Sequence, residues 1–367
     1  MFDHIIGNVS AKNYLKRVIE RGTIGNSLLF AGPEGVGKSL FAESFAKEVI
    51  CFNDPNGRHR DKIQSGNHPD IRVYRPEGKI GMHSIASMRQ FSQEVYLSPS
   101  EADYKVFILH EAERMLSYSA NALLKTFEEP PLDTIIILLS SSSSTLLPTV
   151  LSRCRMIYFK LLLEEDVASF LMKHHQKNSE EAQAIALLAQ GSIGNALRLI
   201  QQGGDPLRTM VINLLSQSEL LTYKQIAECA GAIAEQMELD KKEIEDDVRG
   251  YLKKEAMDNL SAAQKQSIEK EIEGAVAMNI AQKAQSLFNI ILGWYRDLQM
   301  IGVNGNRQYA IHGDYLSVCE ENYHRGGSLP LELVQKVLSE ARLALERSTS
   351  LNICFENLFL KLNLIKI

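Results

Sequence analysis

Residues 32–39 read GPEGVGKS, and this octapeptide restricts the possible folds more than any other stretch of the chain. It matches G-x-x-x-x-G-K-[ST], a loop whose glycines let successive backbone N–H groups turn inward around phosphate oxygens. Such a loop works only between a strand and a helix, because the helix N-terminus adds its positive dipole to the anion site. Both neighbours are in place. Ser27-Leu28-Leu29-Phe30-Ala31 is an apolar run, and Leu40, Phe41, Phe45, Ala46 and Val49 follow at helical spacing. Gly32, Gly35 and Gly37 supply the backbone, Lys38 reaches terminal phosphates, and Ser39 is placed to ligate Mg²⁺. ATP, with Mg²⁺, is the expected ligand. Binding and hydrolysis are separate questions.

The first ~155 residues alternate short apolar runs with helical patterns, the rhythm of a parallel α/β sheet. Val106–Leu109 and Thr134–Leu139 are further continuous apolar runs, as buried parallel strands tend to be. From about residue 160 the chain turns helical in period, with a break at Gly203-Gly204-Asp205-Pro206 that marks a hinge. The stretch 240-DKKEIEDDVRGYLKKE-255 mixes both signs of charge, which fits a solvated helix face. The fold class expected is a P-loop α/β domain with a parallel sheet, then helical domains.

A chain of 367 residues is too long for one ordinary core. A net charge of −5 argues against bulk electrostatic binding of nucleic acid by this chain alone. Five scattered cysteines without a C-x-x-C fit reduced thiols. The opening MFDHIIGN lacks the layout of a secretory signal, and no apolar run approaches the ~20 residues of a membrane span. A cytoplasmic location without a membrane partner is the expectation.

Further stretches resemble one family. Residues 119-SANALLKTFEEPP-131 and 145-TLLPTVLSRCR-155 are similar to the clamp-loader branch of the AAA+ ATPases. Residues 66-GNHPDIRVYRPEG-78, 293-GWYRDLQ-299 and 337-VLSEARLALERSTSLNICFENLFLKL-362 resemble the delta-prime subunits of bacterial DNA polymerase III. The resemblance excludes only the charged region at roughly 235–275. It implies an AAA+ ATPase-like domain over 1–158, a helical lid over 159–204 and an all-α collar over 205–367. These limits agree with the composition breaks. It also implies a hetero-oligomer with motor subunits (gamma/tau) and the delta subunit, and indirect contact with a sliding clamp and primed DNA.

By the same resemblance Arg153, in Ser152-Arg153-Cys154, is an arginine finger that serves a neighbouring subunit's ATP. A guanidinium supplied in trans stabilises charge in the phosphoryl-transfer transition state. Glu111 stands where an active relative polarises water, and His110 stands where it carries its magnesium aspartate. Imidazole is a poor partner for a hard, oxygen-preferring cation. The sensor in the third strand falls at Ser141, with Ser140 the alternative. In 191-GSIGNALRL-199 Gly194 occupies the place of a motor's cis-acting arginine, with Arg198 one turn on.

Many relatives carry four zinc-binding cysteines after the P-loop helix, whereas only Cys51 remains in 51-CFNDPNGRHRDKIQSG-66. Cys51, His59 and His68 match no common zinc spacing, so no metal is expected there. Trp294 and Tyr295 are expected to pack in the collar. His83 and His312 show no partner in the sequence. The leading expectation is a stator-like clamp-loader subunit with weak or absent ATPase. The alternatives are an active AAA+ motor, of gamma/tau or branch-migration type, and a scaffold that binds no nucleotide.

Overall fold

The computed structural model describes every residue except 1, 3, 23–25, 55–56, 79–80, 202–205, 218–220, 254–261, 348 and 363–367. In chain order the elements begin with α1 (Val9–Glu20), β1 (Ser27–Ala31), α2 (Lys38–Ile50), α3 (Arg60–Gln64), β2 (Ile71–Tyr74) and α4 (Ile85–Val95). Next come β3 (Lys105–Leu109), α5 (Ser117–Ala122), α6 (Leu124–Glu128), β4 (Thr134–Ser140), α7 (Pro148–Leu151) and β5 (Arg155–Tyr158). Helices α8 (Glu164–His175), α9 (Ser179–Ala189) and α10 (Ile193–Gln201) follow. The remainder comprises α11 (Pro206–Leu215), α12 (Tyr223–Lys253), α13 (Ala262–Gly302), α14 (Leu316–Gly326), α15 (Leu331–Glu346) and α16 (Leu351–Lys361).

The five strands form one sheet in the order β2-β3-β4-β1-β5, and each pair is parallel. Every residue of β1, β3 and β4 is buried, because helices cover both faces. Side chains alternate between two cores. Leu28, Phe30, Val106, Ile108, Ile135 and Ile137 pack with α1 and α2 through Leu15, Phe41 and Phe45. Leu29, Ala31, Phe107, Leu109, Ile136 and Leu138 face the opposite side, with Phe91 and Phe127. The stripe read on α2 holds except at Leu40, which is 54% exposed one residue before the buried Phe41. The expected strands Ser27–Ala31, Val106–Leu109 and Thr134–Leu139 are β1, β3 and β4, the latter two one residue longer.

The chain divides into two compact units, Met1–Glu77 with Gly81–Gln201, and Gly78–Ile80 with Gln202–Ile367. Within the first, α8–α10 close around their own small core of Val167, Leu171, Ala182, Ala186, Ala189 and Ala196. The second unit is helical throughout its described elements, around Trp294, Phe355, Phe359, Ile291 and Val211. Trp294 is 1% exposed and Tyr295 is buried beside it, so both are packing residues. Residues 240–253 of the charged stretch are part of α12, where Lys242, Glu243 and Asp246 are exposed as expected, whereas Asp240 pairs with Lys283 of α13 in a mostly buried bridge. Gly203, Gly204 and Asp205 of the expected hinge lie outside the described residues, and Pro206 opens α11. Among the described residues, no helix is long and apolar enough to cross a membrane.

Candidate phosphate-binding site

The sheet order places the site. Strand β1 lies between β4 and β5, and its C-terminal end feeds residues 32–37 into the N-terminus of α2. Crevices beyond the carboxyl ends of parallel strands are where ligands of α/β folds bind. The N–H of Gly32 donates to Ser140 O at 3.2 Å, anchoring the loop to the end of β4. Gly37 caps α2 at φ 97°, a left-handed geometry that leaves the first N–H groups of the helix directed into the loop. Gly32, Gly35, Gly37, Lys38 and half-buried Ser39 thus share one continuous loop and helix start.

Several side chains around this loop are engaged within the protein. Lys38 Nζ donates to the loop's own carbonyls, Gly32 O and, at 2.7 Å, Pro33 O. Burial lowers its pKa, partly opposed by Glu34, Glu113 and Glu111. Glu111 has φ 48° and pairs with Arg114 Nε at 2.8 Å. Burial pushes its carboxyl up to about 7, outweighing the Arg114 guanidinium, while Glu113 and Glu34 add to the rise. Ser141, just past β4, donates both its N–H (2.9 Å) and its hydroxyl (2.5 Å) to Glu113 Oε1. The neighbouring Ser140 hydroxyl instead donates to Ser142 O at 2.8 Å.

His110 follows β3, with its backbone N–H on Tyr74 O at 2.9 Å. Its Nδ1 lies 3.2 Å from Arg75 Nη1. A guanidinium only donates, so Nδ1 accepts and the neutral ring carries its proton on Nε2. Burial, followed by the charges of Arg75, His83 and Lys38, pushes the imidazole down to about 3. His83 sits beneath and donates from Nε2 to His110 O at 2.7 Å, the partner that the sequence did not reveal. Arg75, Glu113 and Arg114 were likewise invisible in the sequence, since no motif position marks them.

The small helical cluster closes over the loop. Ser192 caps α10, accepting from Asn195 N at 3.2 Å, and its hydroxyl donates to Glu34 O at 3.1 Å. Gly194 N donates to Gly35 O at 3.0 Å. A Cβ on Gly194 would lie 2.8 Å from Gly35 Cα, a backbone atom, so any side chain there would force the loop and helix apart. Arg198 is bonded to Asn195 in its own helix.

Arg153 stands apart from these groups. Its Nε meets Glu128 Oε2 at 2.8 Å and its Nη1 donates to Thr149 O at 3.0 Å, so its partners come from α6 and α7. Beyond α2, His59 and His68 gather with Glu101 rather than with Cys51. Asp70 N–H points at His68 Nδ1 (3.2 Å), so His68 carries its proton on Nε2, directed at His59 Nδ1 at 2.8 Å. Glu101 is held by Lys62 at 2.7 Å. A metal on His68 Nε2 would force a ring N–H against the Asp70 N–H, so these residues do not fit zinc. In the second unit His312 rests on Asp297 through its backbone N–H at 2.7 Å.

The family model described as DNA polymerase III, delta subunit, matches residues 7–162. The DNA polymerase III subunit delta' of Bacillus subtilis is 31% identical over 169 residues, covering 42% of this chain and 51% of that one. Subunit gamma/tau of Mycoplasma pneumoniae is 30% identical over 213 residues, 55% of this chain and 30% of that one. Over the residues matched, the chain is similar to subunits of DNA polymerase III. It spans about half or less of the length of these two relatives. A solved gamma subunit-related protein from Thermotoga maritima covers 92% of this chain at 16% identity, with a TM-score of 0.37, too distant to bear on the site. The relatives include gamma/tau, tau and delta' subunits alike, so the similarity by itself does not separate one kind of subunit from another.

Proposed function

We propose that this chain is a delta-prime-like clamp-loader subunit that holds nucleotide without turning it over efficiently and lends Arg153 to a neighbour's ATP. The observation that carries this reading is the contact of Gly194 with Gly35, which leaves no space for a cis-acting arginine above the loop. The rest of the site supports it. Glu111 is bound to Arg114, Ser141 to Glu113, and His110 stands in place of a carboxylate. A water-polarising base already paired with a guanidinium is poorly placed to act. Arg153 pairs with the exposed Glu128 and donates to Thr149 O, and the ion pair is one that a better anionic partner can displace.

In this reading residues 1–158 form the ATPase-like domain, 159–204 the lid and 205–367 the collar. The partners are gamma/tau motor subunits and delta, acting on a sliding clamp and primed DNA. The complete phosphate loop, GPEGVGKS, favours a second reading as an active motor. One pair of assays separates them. The full chain should bind fluorescent ATP yet release no phosphate above background, and Arg153→Ala should depress the DNA-stimulated ATPase of a reconstituted loader. Turnover by the isolated chain at a motor's rate would establish the second reading. An unchanged rate in the loader would remove the arginine-finger role.

A further inference from the structure

One imidazole in the second unit ties three segments together. His312 lies in the connection between α13 and α14 and is 1% exposed. Its backbone is pinned to α13, because the Asp297 carboxylate accepts from Ile311 N at 3.0 Å and from His312 N at 2.7 Å. Its Nε2 lies 3.1 Å from Ile290 O, and a carbonyl only accepts, so the ring proton is on Nε2. Its Nδ1 lies 3.3 Å from Arg208 Nη2 of α11, and a guanidinium only donates, so Nδ1 accepts. Both contacts require the same neutral tautomer, and neither nitrogen is left over for a second proton. A Cβ on Gly293 would lie 3.1 Å from Nε2, so the ring is packed against α13 with little room to turn.

Charged groups face the ring from α11, from α13 and from its own connection. Arg208 Nη2 also donates to both carboxylate oxygens of Asp314, each at 2.9 Å, and its guanidinium lies over the Tyr315 ring. Asp297 is fully buried on α13. Cys319 of α14, its thiol pushed up to about 12 chiefly by burial, stays neutral beside these carboxylates. Burial, followed by the charge of Arg208, holds the imidazole below its ordinary pKa, against the Ile290 carbonyl, Asp297 and Asp314. A proton added to Nδ1 removes an acceptor of Arg208 and sets two cations face to face. It also creates a donor for Asp314, whose carboxylate is bound to the same Nη2. Because the backbone and ring of His312 stay with α13, the guanidinium is the group that moves.

We propose that His312 is a proton-operated latch: in acid its Nδ1–H takes Asp314 from Arg208, and the first turn of α11 loosens from the α13–α14 connection. A histidine with a lowered folded pKa keeps its latched form fully above the unfolded value of 6.5 and loses it as the pH falls below that value.

The test uses Trp294, the only tryptophan of the chain, whose ring centroid lies 6.1 Å from that of His312. Titration of the full chain from about pH 8 to about pH 4.5 should show one reversible step in tryptophan emission below about pH 6.5, with unchanged far-ultraviolet circular dichroism. His312→Gln should abolish the step. Arg208→Gln should move its midpoint up by about one pH unit or more, and Asp314→Asn should move it down. At acid pH, amide exchange at residues 206–210 should be faster in the parent than in His312→Gln. A flat titration, or a step that coincides with loss of helical signal, would overturn the proposal, as would a midpoint unmoved by Arg208→Gln. Equal exchange at residues 206–210 would remove the latch on α11. If His312→Gln fails to fold, the opposite shifts of the other two variants decide.

Discussion

The amide N–H of Gly194 donates to Gly35 O at 3.0 Å, which brings the first turn of α10 into backbone contact with the phosphate loop. Neither glycine has room for a Cβ: one on Gly35 would lie 2.1 Å from Ser192 Oγ, and one on Gly194 would lie 2.8 Å from Gly35 Cα. Small-to-large changes at such contacts typically destabilise by about 1–3 kcal/mol. Gly194→Ala should therefore lower the melting temperature of the first unit by roughly 2–10 °C. Differential scanning calorimetry measures this. A variant as stable as the parent would mean that the contact yields freely.

Arg153 is half-buried and its pair with Glu128 is exposed on the acidic side, so the bridge adds little stability, roughly 0–1 kcal/mol. Arg153→Ala should leave urea unfolding of the isolated chain nearly unchanged. On the proposed arginine-finger role, hydrolysis at the neighbouring site of an assembled loader should slow by about 10³-fold or more, the scale of arginine fingers supplied in trans. Single-turnover hydrolysis in the complex distinguishes the two effects.

The Glu111 carboxyl has a folded pKa raised from 4.5 to about 7, chiefly by burial. A raised acid means that the fold favours the protonated form. Its contribution is fully present below pH 4.5 and is lost as the pH climbs through about 7. Glu111→Gln should flatten that decline, so the variant gains on the parent by about 1–3 kcal/mol between acid and neutral pH. Urea midpoints at several pH values test this, and parallel curves for both proteins would refute it.

His110→Asp supplies a carboxylate where His110 now offers an N–H donor, but it leaves the Gly194 contact and the Glu111–Arg114 pair in place. Phosphate release by this variant alone should stay at background. Brisk turnover would mean that the small helical cluster does not limit catalysis.

Trp294 is 1% exposed at the centre of the helical core, beside Phe288, Ile291 and Phe355. Trp294→Ala should destabilise the second unit by about 3–5 kcal/mol. Its effect on nucleotide binding by the first unit should be slight, because the phosphate loop lies in the other unit. Parallel melting and titration experiments resolve the two.

The central strands were legible because β1, β3 and β4 are buried on both faces and appear as unbroken apolar runs. The edge strands were not. In β2, Arg72 and Val73 face solvent, and in β5 Arg155, Met156 and Tyr158 do, so neither carries a run or a clean alternation. The phosphate loop was legible because its chemistry depends on backbone and a fixed spacing. The behaviour of its surroundings was not, since it depends on partners distant in sequence. Arg75 sets the His110 tautomer, Glu113 captures Ser141, and Glu34 O receives the Ser192 hydroxyl across 158 residues. Asp240 misled for the same reason: its local sequence is solvated in character, whereas its partner is Lys283 on another helix.

The Ser192 hydroxyl both caps α10 and donates to Glu34 O, so one oxygen belongs to two structures at once. Lifting the helix from the loop breaks one of those bonds directly, and any reorientation of the side chain to follow the loop uncaps the helix. Separation of loop and helix is therefore tied to fraying at the start of α10, and amide exchange at Asn195 should speed up in any variant that breaks the Ser192–Glu34 bond.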